Sequence, residues 1–242
     1  MSIYTDVVPD PPISHVVKGV EFIQKLQPTV VIAIGGGSAI DLTKAVLYFA
    51  RHMGYGGVRY FTVIPTTSGT GSEVTSFAVI TDPTSQTKYP ILDESLLPQE
   101  AILTPLFVKT APPKVTAYSG MDVLVHAIEA IVSTGANHFT DALAEKALEL
   151  VFEYLPKCFA PGATEEDRMG MHEASCMAGL AFNRAGLGIT HALAHQLGGQ
   201  FHIPHGLANA MLIARVVMFN AFHSEKAYEK ICTTCKEARL CR

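Results

Sequence analysis

With 242 residues, 48% of them hydrophobic and 17% charged, the chain can bury a core without disulfides, which excludes a disordered or fibrous class. A net charge of −4 and the lack of any Lys or Arg run exclude the electrostatic footprint of a nucleic-acid binder. No apolar run approaches the roughly eighteen residues of a membrane span, and the start "MSIYTDVVPDPPISH" lacks the basic and apolar regions of a signal peptide, so a cytoplasmic protein without a membrane partner is expected. The five cysteines, Cys158, Cys176, Cys232, Cys235 and Cys241, are odd in number and scattered, as in a protein with reduced thiols. "CTTC" (232–235) has metal or redox spacing but stands alone in a charged helical segment, and incidental thiols are the expectation.

From 14 to about 104 helical and strand-like segments alternate. "SHVVKGVEFIQKLQ" (14–27) spaces Val16, Val17, Val20 and Ile23 as a helix does, and "TVVIAI" (29–34) reads as a strand buried on both faces. A helix over 38–51 and a strand "RYFTVIP" (59–65) follow. "EVTSFAVITDPTSQTKYPIL" (73–92) reads as two strands around "DPTSQT". Residues 1–104 are therefore expected to form an α/β nucleotide-binding part with a parallel sheet and a hairpin. Strand signals then vanish, and helices are expected at 112–134, 139–155, 165–183, 190–199, 205–221 and 224–238, which makes 105–242 a helical domain.

"AIGGGSAID" (33–41) lies where a buried strand gives way to a helix, a junction at which unpaired amides and the helix dipole suit a phosphate. It is not the dinucleotide fingerprint, because Ile40 stands where Gly or Ala is required. The alternative is a tight turn with Ser38 as N-cap and Asp41 at N3 of a capping box. "IPTTSGTGSEVT" (64–75) is a second strand-end loop with hydroxyls at Thr66, Thr67, Ser68, Thr70 and Ser72. Two such loops at successive strand ends line the edge where open α/β sheets bind ligands, and their neutral donors suit a pyrophosphate.

"GMDVLVHAIEAIVS" (120–133) puts Asp122 and His126 four residues apart, on one helix face. "GITHALAHQLGGQFHIPHG" (188–206) repeats that spacing with His191 and His195, and then adds His202 and His205. One carboxylate and three or four imidazoles from three helices are enough to close around a divalent metal, and in an apolar bundle each would otherwise need its own polar partner. A ligand set of N and O without thiolate suits Fe(II), Zn(II), Ni(II) or Mn(II). Spacing alone leaves open whether His191 or His195 is the ligand.

Together these residues resemble the iron-containing (group III) alcohol dehydrogenase family. "GGGSAIDLTKA" is similar to its GGGSxxDxxKA signature and "PTTSGTGSEVT" to its second cofactor loop, while "MDVLVHAIEAIVS" and "HALAHQLGGQFHIPHGLANA" resemble its two metal-ligand helices. The likeness is collinear from about residue 8 to 222 and, within the family, is greatest to the propanol dehydrogenases of bacterial diol breakdown. It implies a dehydroquinate synthase-like fold, a partial α/β dinucleotide-binding domain over 1–104 and a helical metal- and substrate-binding domain over 105–242. The resemblance makes Asp122, His126, His191 and His205 the ligands of Fe(II) or Zn(II), and places His195 near the nicotinamide ring as a catalytic proton relay. Gly36, Gly37 and Ser38 would hold the pyrophosphate of NAD or NADP, with Thr66, Thr67, Thr75 and Phe77 around the nucleotide and Lys88 at the ribose. His202 is left with a structural or surface role.

The function implied is interconversion of a small primary alcohol, such as 1-propanol, and its aldehyde with NAD(P), in a homo-oligomer (a homodimer) housed in a bacterial microcompartment. Family members begin with a further strand–helix–strand unit and continue with more helices, so the sequence reads as a fragment missing both ends and, by itself, a poor dehydrogenase or none at all. The rivals are a glycerol dehydrogenase, a dehydroquinate synthase-like metal enzyme, or a non-catalytic truncated fragment. The metal helices carry mainly Ala, Leu, Ile and Gly rather than clustered Lys and Arg, which favours a small neutral substrate over a phosphorylated acid.

Overall fold

The structure, a computed structural model, describes residues 1–85 and 87–237; Gln86 in the expected turn, the end of the expected 224–238 helix and Cys241 lie outside the described residues. The chain forms two compact units, one of residues 1–66 and 72–102 and the other of 67–71 and 103–242.

In the α/β unit, Val16, Val20 and Ile23 of helix α1 (Ile13–Leu26) cluster with Leu42, Ala45 and Val46 of α2 (Gly37–His52) and with Ile80. Gly19 permits the approach, since a Cβ there would run into Val46. Strands β1 (Val30–Gly35) and β2 (Tyr60–Pro65) pair in parallel, with Ala33 opposite Val63. A two-residue strand, β5 (Glu100–Ala101), extends the sheet in the order β1-β2-β5 and was not legible as a strand. Strands β3 (Phe77–Asp82) and β4 (Thr87–Leu92) form the expected antiparallel hairpin.

Strand β1 departs from the sequence expectation. It is not buried on both faces: Val30, Ile32 and Ile34 are 56%, 57% and 56% exposed. Ala33 alone is buried, in a cluster with Ile40, Phe61 and Val63, because α2 covers one face and the alternate residues point away from it.

The second unit contains α3 (Pro113–Val132), α4 (His138–Phe159), α5 (Glu165–Ala185), α6 (Ile189–Phe201), α7 (His205–Asn220) and α8 (Glu225–Glu237), and no strand follows Ala101 among the described residues. Helix α3 lies centrally, against α4, α5 and α7, while α6 packs on α7. Fully buried Ala127, Ala130, Ala144, Ala147, Ala174, Ala178 and Ala181 keep the helices close. Capping boxes start α4 (Asn137 with Thr140) and α5 (Thr164 with Asp167). Contrary to the first reading of its sequence, α3 is long and apolar enough to cross a membrane by length and composition. With 56% of that window buried and Asp122, His126 and Glu129 inside, it is instead a core helix.

Candidate metal centre and glycine loops

The four-residue spacing on α3 does put Asp122 and His126 on one face, and both are buried. Helix α6 brings His191 to the same point, and α7 brings His205 from its first turn. That turn reaches α3 only because residue 206 is glycine, since a Cβ there would run into the Tyr118 carbonyl. Around Asp122 Oδ1 stand His205 Nε2 at 3.4 Å, His191 Nε2 at 3.5 Å and His126 Nε2 at 3.9 Å. Tetrahedral ligands at ~2.1 Å from a zinc ion lie roughly 3.4 Å apart. Asp122, His191 and His205 have ligand atoms all within 4.8 Å of one another. His126 is outside that tighter group, with its ring stacked on His191 at 4.5 Å and on Phe182 at 4.3 Å.

Two residues that sequence reasoning missed complete the centre. Asn209, fully buried one turn after His205, points its Nδ2 into the middle of the group, 2.6 Å from Asp122 Oδ1 and 3.2 and 3.3 Å from the Nε2 atoms of His191 and His205. A partly positive N–H donor thus sits among three acceptors, and its own Oδ1 is buried without a partner. Glu129 accepts from the Gly188 amide at 2.9 Å, the Thr190 amide at 2.7 Å and His191 Nδ1 at 2.7 Å. Both were marked by spacing: Glu129 falls seven residues after Asp122 and Asn209 four after His205, on the faces already assigned.

The electrostatics are those of a shielded ligand set. Burial would raise the Asp122 carboxyl, but His126, His205 and His191 more than reverse this and hold it below its usual range. Burial presses His126 down to about 3, leaving a neutral ring whose Nδ1 is buried and unpartnered. Burial also lowers His191, yet hydrogen bonds to Asp122 and Glu129 outweigh it and lift the ring to about 9. Glu129, despite burial, is drawn down to about 2 by His191, with smaller help from the Thr190 side chain and the Gly188 amide. An anionic oxygen with neutral or exchangeable imidazole nitrogens in a water-poor cluster is a donor set suited to a divalent cation.

His195 is half-buried, its ring centroid 5.1 Å from that of His205. His202 is exposed and ends α6 in the left-handed conformation, φ 55°.

In the α/β unit, Gly36 is the N-cap of α2 and Gly37 its first residue, with no side chain capping the end. This corrects the capping-box alternative. Ser38 lies inside the helix, its Oγ accepting from the Asp10 amide at 3.3 Å, and Asp41 instead accepts from Ser72 Oγ at 2.6 Å and the Val79 amide at 3.0 Å. The loops start at adjacent strand ends, where the Thr66 amide donates to the Gly35 carbonyl at 3.0 Å. Lys88 pairs with Asp10 at 2.5 Å, which brings it beside Ser38. Thr67 belongs to the helical unit. Thr75 is buried, with its carbonyl and hydroxyl at 2.5 and 3.3 Å from Lys44 Nζ, and half-buried Phe77 gives its carbonyl to the same amine at 2.9 Å. Lys44, fully buried and lowered to about 8 by burial, was missed by sequence reasoning although it ends the signature quoted above.

Comparison with known proteins bears on the whole chain. A family model described as iron-containing alcohol dehydrogenase matches residues 1–105, and one described as the C-terminal part of the Fe-containing alcohol dehydrogenase family matches 116–239. The chain is 53% identical over 241 residues to 1-propanol dehydrogenase PduQ of Citrobacter freundii, covering 100% of itself and 65% of that protein. It is 43% identical to the NADPH-dependent butanol dehydrogenase of Clostridium saccharobutylicum, over 93% of itself and 61% of that relative. Among solved structures, sulfoacetaldehyde reductase from Bifidobacterium kashiwanohense in complex with NAD+ superposes with TM-score 0.84 at 37% identity, over 91% of this chain and 62% of that one. This chain thus spans just under two thirds of the length of these relatives. It belongs to the iron-containing alcohol dehydrogenase family.

Proposed function

We propose that the chain is the cofactor- and metal-binding part of an NAD(P)-dependent alcohol dehydrogenase acting on a small primary alcohol such as 1-propanol. The observation that carries this reading is the convergence of buried Asp122 and His191 with half-buried His205 within 4.8 Å, with His126 stacked on His191. These four would hold Fe(II) or Zn(II). Gly36, Gly37 and Ser38 would hold the pyrophosphate of NAD or NADP, Thr66, Thr67, Thr75 and Phe77 would surround the nucleotide, and Lys88 would reach its ribose. Residues 1–104 then form the dinucleotide-binding part and 105–242 the metal- and substrate-binding part. A cytoplasmic homodimer housed in a bacterial microcompartment is part of this proposal, while likeness to the 1-propanol dehydrogenase of Citrobacter freundii supports the choice of 1-propanol.

A metal held by these residues would supply Lewis acidity toward the substrate oxygen, and a bound nicotinamide would supply the hydride chemistry. The chain's own residues provide the rest. Asp122 supplies the negative charge that balances a cation inside an apolar bundle. Glu129 and the stacked ring of Phe182 fix the imidazoles and keep water out. The uncapped start of α2 offers free amides to a diphosphate. His195, half-buried near His205, is placed to carry the alcohol proton away from the centre.

The test loads the purified chain with Fe(II) under anaerobic conditions and follows nicotinamide absorbance with 1-propanol and either NAD+ or NADP+. Uptake of one iron that is lost in His191→Ala is expected, with slow turnover or none from this part of the enzyme. Failure of the folded chain to take up iron would overturn the reading.

A further inference from the structure

The carboxylate of Glu129 accepts from three N–H groups: the amides of Gly188 and Thr190 and the Nδ1 of His191, at 2.9, 2.7 and 2.7 Å. An ionised carboxylate only accepts, so each of these must carry its hydrogen. The amides always do. Of the two ring nitrogens, Nδ1 must keep its hydrogen against Glu129, so the proton that a metal can displace is the one on Nε2, the nitrogen on the side of Asp122, His205 and Asn209. Glu129 is well placed for this because it is 5% exposed, lies on the same α3 face as Asp122, and meets a helix start with no cap of its own. Gly188 leaves the space, since a Cβ there would stand 2.9 Å from Glu129 Oε1.

We infer that Glu129 is a positioning residue which docks the start of α6 and locks His191 in its Nδ1–H tautomer, so that the metal meets a preset Nε2 donor. This rests on the reading of His191 as a metal ligand. Glutamine in its place cannot satisfy all three donors. Turned one way, its NH2 faces the Thr190 N–H. Turned the other, it faces the Gly188 N–H and donates to His191 Nδ1, which moves the imidazole proton to Nε2 and removes the ligand.

The experiment measures Co(II) affinity of the full 242-residue chain by visible absorbance in competition with a chelator, for wild type, Glu129→Gln, Glu129→Asp and His191→Ala. Glu129→Gln should fold by circular dichroism and bind Co(II) about 10- to 100-fold more weakly. Glu129→Asp, which keeps an acceptor-only group, should recover part of that loss. A folded Glu129→Gln chain with wild-type affinity overturns the inference while His191→Ala still loses the metal. Unchanged affinity in His191→Ala overturns the ligand reading and the inference with it. Because Glu129→Gln can fail to fold, nitrogen-15 spectra of the histidine rings are recorded on the Zn(II)-loaded wild-type chain. A protonated Nδ1 at His191 is expected, and a proton on Nε2 overturns the proposal without any variant.

Discussion

Asn209 and Glu73 are single residues whose environments make definite demands. Asn209 donates to a buried carboxylate, so truncation leaves Asp122 with one fewer donor. Asn209→Ala should lower the stability of the metal-free chain by about 1–3 kcal/mol, read as a shift in urea midpoint. No shift would mean that the histidines alone satisfy Asp122. Glu73 is 3% exposed, and burial lifts its carboxyl from 4.5 to about 7 against the opposing pull of Lys44. Its folded pKa lies above its unfolded one, so its contribution to stability is full below pH 4.5 and is lost as pH rises through 7. In urea titrations across that window, Glu73→Gln should show a flatter decline with pH than the wild type. Parallel curves would place the titration elsewhere in the cluster of Glu73, Lys44 and Asp41.

At the scale of the element, the helical unit depends on small side chains and on caps. Asn137 accepts from the Phe139 and Thr140 amides, and Thr140 returns a bond to the Asn137 amide. Asn137→Ala should therefore destabilise α4 by about 1 kcal/mol, and wild-type stability would show that packing alone sets that end. Ala178 has no exposed surface within α5, whose neighbours α3 and α4 also present fully buried alanines. Ala178→Leu adds volume where there is none and should cost about 1–3 kcal/mol by calorimetry. A smaller loss would reveal slack between the helices. The segment 67–71 passes equally close: Gly71 has φ +61°, and a Cβ on it would come within 2.7 Å of the Gly179 Cα.

For the whole molecule, the division into two compact units separates the glycine-loop helix α2 from the metal-centre helices α3, α6 and α7. Zn(II) at 100 times its Kd for a centre that only the folded chain forms should stabilise that unit by about 2.7 kcal/mol. Amide hydrogen exchange should accordingly slow in α3 and α6 on adding Zn(II) and stay unchanged in α1 and α2. Equal slowing in both units would show that they unfold as one.

The sequence by itself determined what repeats locally. Four-residue spacing placed Asp122 with His126 on one helix face, a β-branched run ending in glycines marked β1, the run "RYFTVIP" marked β2, and the loss of strand signals set off the helices. Tertiary structure decided what depends on distant partners. Asp122 meets Asn209 across 87 residues and Glu129 meets His191 across 62, distances over which periodicity carries no phase information. For the same reason β5, two residues long, appears only as a partner of β2. The exposed face of β1 follows from where α2 packs, although its apolar composition matches a strand covered on both sides. Likewise, spacing treats His191 and His195 as equals. It is the packing of α6 on α7, with Glu129 holding its first turn, that turns His191 toward Asp122 and leaves His195 half-buried beside His205.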